Sequence, residues 1–92
     1  MKVKNVYTDT IYEAIEYSYE RFKECKKFIT DNMDISISLI IPKMRMYGLK
    51  SYESITEIKP TDFIIRTITD GIPLYNTVSK DVMENNYNVV EE

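Results

Sequence analysis

The stretch EAIEYSYERFKECKKFI, residues 13–29, decides how this chain is read. Taken with the residues before it, it places apolar groups at Ile11, Ala14, Ile15, Phe22, Cys25 and Ile29, a spacing that fits the 3.6-residue period of one long amphipathic helix. Thr10 and Glu13 also have the spacing of a capping box. The competing reading makes residues 10–17 a strand, with Ile11, Glu13, Ile15 and Tyr17 on one face and Tyr12, Ala14 and Glu16 on the other. Ser18 would then cap a helix over about 19–31 that turns Phe22, Cys25 and Ile29 inward. Periodicity alone favours the long helix.

The flanking sequence is clearer. Residues 34–42, DISISLIIP, alternate apolar and polar side chains through Ile35, Ile37, Leu39 and Ile41 and stop at Pro42, the pattern of a half-buried strand. Residues 43–55 are ambiguous: Gly48 interrupts the pattern, and Lys43, Arg45 and Lys50 give a local basic bias around Tyr47. Residues 61–68, TDFIIRTI, read as a strand with Phe63 and Ile65 on one face and Ile64, Arg66 and Ile68 on the other. Asp70-Gly71 is a strong hairpin signal. The returning strand, 72–78, contains Pro73, which cannot donate to a ladder and so belongs at a sheet edge. Ser79 caps a short helix over about 80–85, with Asp81 in its first turn, and YNVVEE forms a final strand.

Composition bounds the function. The 92 residues form one domain, 1–92, large enough for a core but small enough that oligomerisation is a common supplement. A net charge of −3 lacks the basic surplus of a nucleic-acid-binding domain. No apolar run approaches the roughly 18 residues of a membrane span, and no apolar stretch follows the basic N-terminus as it would in a signal peptide, so a cytoplasmic protein is expected. A single cysteine permits no internal disulfide. There is no histidine, which removes the Ser-His-Asp triad, the Cys-His pair and histidine metal ligation. With no glycine-rich phosphate loop and no cysteine cluster, no cofactor or metal is expected, and binding is favoured over catalysis.

EAIEYSYERFKECKKFI near the start and IKPTDFIIRTITDG…SKDVMENNYNVVEE at the end together resemble a widespread family of small phage and prophage proteins, usually described only as hypothetical. In that family the first segment is a strand ending in an aromatic, a polar turn and a helix; the second is a strand, a hairpin, a short helix and an aromatic followed by acids. The family usually has Gly where this chain has Thr61 and Thr67. The resemblance implies the strand reading of residues 10–17. The expected fold is therefore α+β: a small single domain of mostly antiparallel sheet, packed with one main helix at about 19–31 and a short C-terminal helix at about 80–85.

The same resemblance, with the missing catalytic set, implies a phage accessory protein of the host bacterial cytoplasm that acts by binding. The first expectation is a counter-defence homo-oligomer that sequesters a nucleotide-type signal. Tyr17, Tyr19, Tyr47 and Tyr75 would stack on a planar base, and Arg21, Arg45 and Arg66 would hold phosphates. The alternative is a protein–protein inhibitor of a host defence or takeover target, using a strand edge or an apolar patch. A ligand-free structural module ranks third and an enzyme last. Cys25 reads as a buried small hydrophobe, and Asp9, Glu13 and Glu16 have no spacing that marks catalytic carboxylates.

Overall fold

The computed structural model describes residues 1–29, 36–41, 46–50 and 55–92. Among them are eight strands and two short helices, an α+β domain dominated by antiparallel sheet. The elements are β1 (Lys2–Asn5), β2 (Ile11–Glu16), α1 (Phe22–Phe28), β3 (Ser36–Ile41), β4 (Met46–Lys50), β5 (Ile55–Ile58), β6 (Phe63–Thr69), β7 (Ile72–Val78), α2 (Lys80–Asn86) and β8 (Tyr87–Glu91). One sheet has the order β7-β6-β2-β1-β8 and the other β3-β4-β5.

Residues 11–16 are thus a strand. β2 pairs with β6 from Glu13↔Arg66 to Glu16↔Phe63 and with β1 from Lys2↔Glu13 to Lys4↔Ile11. It lies in the middle of the larger sheet, and that sheet is covered on both faces. On one face Ala14 packs with Val3, Phe63, Ile65 and Met83 of α2. On the other, Ile15, Tyr17 and Ile64 pack with Cys25 and Ile29 from the α1 segment and with Ile37, Leu49 and Ile58 of the smaller sheet. A strand that packs against the core on both sides carries apolar residues on both sides, which erases the period-two signal.

α1 is shorter than expected at both ends: it spans Phe22–Phe28, and Ile29, expected inside it, is already its C-cap. The chain leaves β2 through a turn in which Ser18 Oγ and O both accept from Arg21 N, at 3.2 and 3.1 Å, so Ser18 closes the turn ahead of the helix and is not its cap: the N-cap is Arg21, without a side-chain cap bond. Regular helix begins only at Phe22, because Tyr19 to Arg21 are used in that turn. Residues 30 and 31 of the expected helix lie outside the described residues.

Gly48 does not interrupt a strand as its type suggested. It is buried mid-way along β4, opposite Ser38 and Glu57, and a ladder on each side holds it extended. β1 was not legible either; its single apolar residue, Val3, is fully buried between β2 and β8.

The second half follows its sequence closely. Asp70 (φ 53°) and Gly71 (φ 77°) are both left-handed, as a type I′ hairpin turn requires. β7 is an edge strand, as Pro73 implied. Ser79 Oγ accepts from Val82 N at 3.3 Å and caps α2, which runs directly into β8.

A second turn carries strain. Asp62 N donates to Lys59 O at 3.0 Å, closing a β-turn over Lys59, Pro60, Thr61 and Asp62, and Thr61 has φ 77°. Proline at the second position and positive φ at the third describe a type II turn, whose third position favours glycine. A β-branched residue there pays a steric penalty of about 1–2 kcal/mol, part of which glycine's extra chain entropy would offset. Thr61→Gly is therefore expected to stabilise the fold by about 0.5–1 kcal/mol, seen as a rise in Tm of roughly 2–8 °C. A fall in Tm would show that Thr61 is held by something other than this turn.

Candidate functional site

The residues expected to bind a ligand form two separate groups at the two ends of α1. At its start Tyr17, Tyr19, Phe22 and Tyr47 make a ring cluster, with centroid separations of 5.4 Å (Tyr17–Tyr47), 5.6 Å (Tyr19–Tyr47), 5.1 Å (Phe22–Tyr47) and 6.2 Å (Tyr17–Tyr19). Tyr17 is fully buried, and its hydroxyl has no hydrogen-bond partner among the described residues. Burial pushes that phenol above its ordinary range, and Tyr47 and Tyr19 beside it add to the shift. Tyr19 presents the exposed edge of the cluster, and Arg21 is exposed two residues later.

At the other end Arg66 is held by the protein itself. Its Nη1 donates to Phe28 O at 2.8 Å and to Tyr75 Oη at 3.4 Å, and its Nη2 donates to Glu13 Oε2. The guanidinium carbon lies 4.4 Å from the centroid of the Phe28 ring, a cation–π distance. Tyr75 Oη also donates to Phe28 O at 3.3 Å. Burial opposes the Arg66 charge, but the bonds to Tyr75 and Glu13 outweigh it and hold the guanidinium above its usual pKa. Arg66 and Tyr75 thus clasp the end of α1 to the sheet. The two groups are about 9 Å apart along the helix axis, the rise of the six steps from Phe22 to Phe28, and none of three grooves among the described residues is lined by both. Arg45 lies outside the described residues.

The remaining candidates scatter. Asp9 pairs with Lys4 at 3.5 Å on the surface, Glu13 is taken by Arg66, and Glu16 contributes a backbone carbonyl to Cys25 Sγ at 3.7 Å. Cys25 is fully buried, and burial pushes its thiol up to about 11, which makes it a packing group at neutral pH. Among the described residues no acids or cysteines are grouped for a metal ion, and no helix is long and apolar enough to cross a membrane.

A different surface stands out. β2 stays paired to β6 only as far as Arg66, while the β6–β7 hairpin continues to its Asp70-Gly71 turn. Opposite residues share a face, so Ile68 follows Ile64 and Arg66, whereas Ile72 and Leu74 follow Phe63, Ile65 and Thr67. Beyond the helices these side chains are uncovered: Ile68 is 64% exposed, Ile72 60% and Leu74 52%.

Each face carries a groove. Beside Ile68, where β2 and β6 part, lies a trough of about 410 Å³ shared with Ile11 and Val90 and with the charged Lys2, Glu13, Arg66 and Glu91. Below Leu74 lies a second groove of about 270 Å³ lined by Tyr12, Ile65, Thr67, Tyr75, Asn76, Val78 and Tyr87, without a charged residue. A sequence signal for this region existed. Residues 67–79, TITDGIPLYNTVS, hold one charge in 13 positions, where the chain's 29% charged content would give about four.

Comparison with protein-family models, curated proteins and solved structures finds no match to this chain.

Proposed function

We propose that this protein is a binding protein without chemistry, and that it inhibits a partner protein by docking it in the trough beside Ile68. In the phage setting that the sequence resemblance implies, the partner is a host defence or takeover protein. The observation that carries the reading is the trough itself: exposed Ile11, Ile68 and Val90 stand together with Lys2 and Glu91. Apolar anchors with charges nearby are the anatomy of a protein-binding surface. The internal engagement of Arg66 also removes the strongest phosphate ligand from the alternative.

A second reading, capture of a nucleotide-type signal, draws on one observation. Tyr19 offers an exposed ring edge on the aromatic cluster, and Arg21 is exposed on the same turn. A base stacked there would be held by ring contact and one charge.

Thermal unfolding against a panel of cyclic di- and trinucleotides and ADP-ribose derivatives separates the two. A ligand at 100 times its Kd adds about 2.7 kcal/mol, on the order of 10 °C for a domain of this size. No shift is expected. Binding to a defence protein, measured by titration, is instead expected to weaken at least tenfold in Ile68→Lys, with the fold intact. A nucleotide shift that Arg21→Ala abolishes would replace the protein-inhibitor reading with signal capture.

A further inference from the structure

The face of the β6–β7 hairpin opposite the trough holds the small uncharged groove under Leu74, and the lining of that groove has the chemistry of a ligand site. We infer that it binds one ring of a neutral sugar. The site is independent of the protein-inhibitor reading, because the trough lies on the other face of the same strands.

The groove follows β6. Ile65 and Thr67 form its floor, Leu74 and Asn76 of β7 stand on one side, and Tyr12 and Tyr87 stand on the other. The register places them there. Leu74 lies opposite Thr67 and Asn76 opposite Ile65, while Tyr12 is two residues from Ala14, which packs with Ile65 on this face. Ile65, Leu74 and the two rings supply apolar contact. Polar contact comes from the hydroxyls of Tyr12, Thr67 and Tyr87 and from the amide of Asn76. Among the described residues those three hydroxyls bond to no other protein group. Asn76 Oδ1 is taken by Thr77 N at 2.8 Å, which leaves the two Nδ2 donors for a ligand.

Size excludes a macromolecule. At about 270 Å³ the groove falls just below the range of drug-sized sites, roughly 300–1,000 Å³, so it takes one ring. It is far too small for the roughly 800 Å² that each partner buries in a stable protein contact.

Charge and ring geometry choose among small molecules. No charged residue lines the groove, so nothing there holds a phosphate or carboxylate. A planar base is poorly served as well. The Tyr12 and Tyr87 rings meet edge to face, with centroids 5.9 Å apart and planes at 70°, and so cannot sandwich it. Asn76 has also lost the acceptor needed for a two-bond amide contact to a base. A sugar ring asks for less. Its C–H groups rest on a single electron-rich ring face, and its hydroxyls, each donor and acceptor, match protein hydroxyls in either sense. A ring of about twelve heavy atoms at the efficiency of ordinary ligands binds in the millimolar range.

NMR titration of the whole chain with the methyl glycosides of glucose, galactose, mannose and N-acetylglucosamine, each to about 50 mM, tests this. At least one is expected to saturate, with a Kd of about 1–10 mM and shifts centred on the amides of Thr67, Leu74 and Asn76. Affinity should fall at least fivefold in Thr67→Val and in Asn76→Asp and stay unchanged in Ile68→Lys. Both groove variants keep side-chain volume, and Asp retains an oxygen for Thr77 N, so they should fold, which circular dichroism checks. No saturating shift with any of the four glycosides overturns the inference, and so does an affinity unchanged in either folded groove variant. Adenosine binding in the groove where no glycoside binds overturns it in favour of a base site. Because Ile68→Lys reports on the opposite face, failure of the sugar site and failure of the protein-inhibitor reading are read independently.

Discussion

Tyr17→Ala is expected to remove about 3–5 kcal/mol of stability, the range for deleting a large buried aromatic. Tyr17 touches both the smaller sheet's Tyr47 and the turn residue Tyr19, and it is fully buried in the cluster that also contains Cys25, Ile29, Ile58 and Ile64. Its backbone is equally committed: Tyr17 N donates to Asp62 O at 2.8 Å and Thr61 N donates to Tyr17 O at 3.0 Å. At about 0.05–0.15 kcal/mol per residue, a domain of this length has roughly 5–14 kcal/mol in all, so the variant is expected to be partly unfolded at 37 °C. Urea denaturation measures the change.

Tyr17→Phe is expected to do the opposite at neutral pH. It removes only a buried hydroxyl with no partner among the described residues, so stability should be unchanged or rise by up to about 1 kcal/mol. The pH dependence follows from the sign of the shift. The folded-state phenol is raised, so its neutral form contributes fully below the unfolded value of about 10, and that stability is lost as pH rises further. Wild type should therefore weaken above about pH 10 more steeply than Tyr17→Phe. Equal slopes would mean that the phenol reaches solvent, and a marked loss in Tyr17→Phe at pH 7 would mean that the hydroxyl is paired in solution.

Arg66→Met is expected to cost about 2–5 kcal/mol. The methionine keeps much of the apolar stem but loses the charged hydrogen bond to Phe28 O, about 1.5–3 kcal/mol, and the stacking on Phe28, about 0.5–2 kcal/mol. The pair with Glu13 adds little, because the Glu13 side chain is 46% exposed and screened by water. Tyr75→Phe, which removes one shared bond to the same carbonyl, should cost about 0.5–1.5 kcal/mol. The loss in Arg66→Met should be local as well as global: amides of α1 near Phe28 should exchange with solvent faster relative to those of β6. A change below 0.5 kcal/mol with unaltered exchange would show that the clasp does not hold the helix.

The sequence was most informative where one face of an element meets water. The β6–β7 hairpin, its turn, the edge position of Pro73 and the cap at Ser79 all follow from local chemistry, because turns and caps are satisfied within a few residues. β2 was misread by spacing because it packs apolar residues on both faces, Ala14 on one and Ile15 on the other, which imitates a helical pattern, and only the resemblance pointed to a strand. β1 and Gly48 were hidden for a related reason: their extended form is imposed by ladders on both sides. As for the site, Arg66 stood out as a charge in mid-strand, but its partner Glu13 is 53 residues away and nothing in either segment announces the pair. The exposed hairpin was legible only as a missing charge density.

The position of β1 between β2 and β8 has a consequence for how the chain reaches this state. Lys2 lies opposite both Glu13 and Glu91, so the larger sheet joins nearly the first residue to nearly the last. Such a topology has high contact order, and loops that long must close before their contacts repay the lost entropy. The β1–β2 and β6–β7 hairpins can form early, but the five-stranded sheet cannot be completed until β8 has left the ribosome. Refolding of the isolated chain should accordingly fall in the slow, millisecond-to-second range of sheet proteins. During synthesis Val3 would remain without its β8 neighbour for several seconds at about 5–20 residues per second.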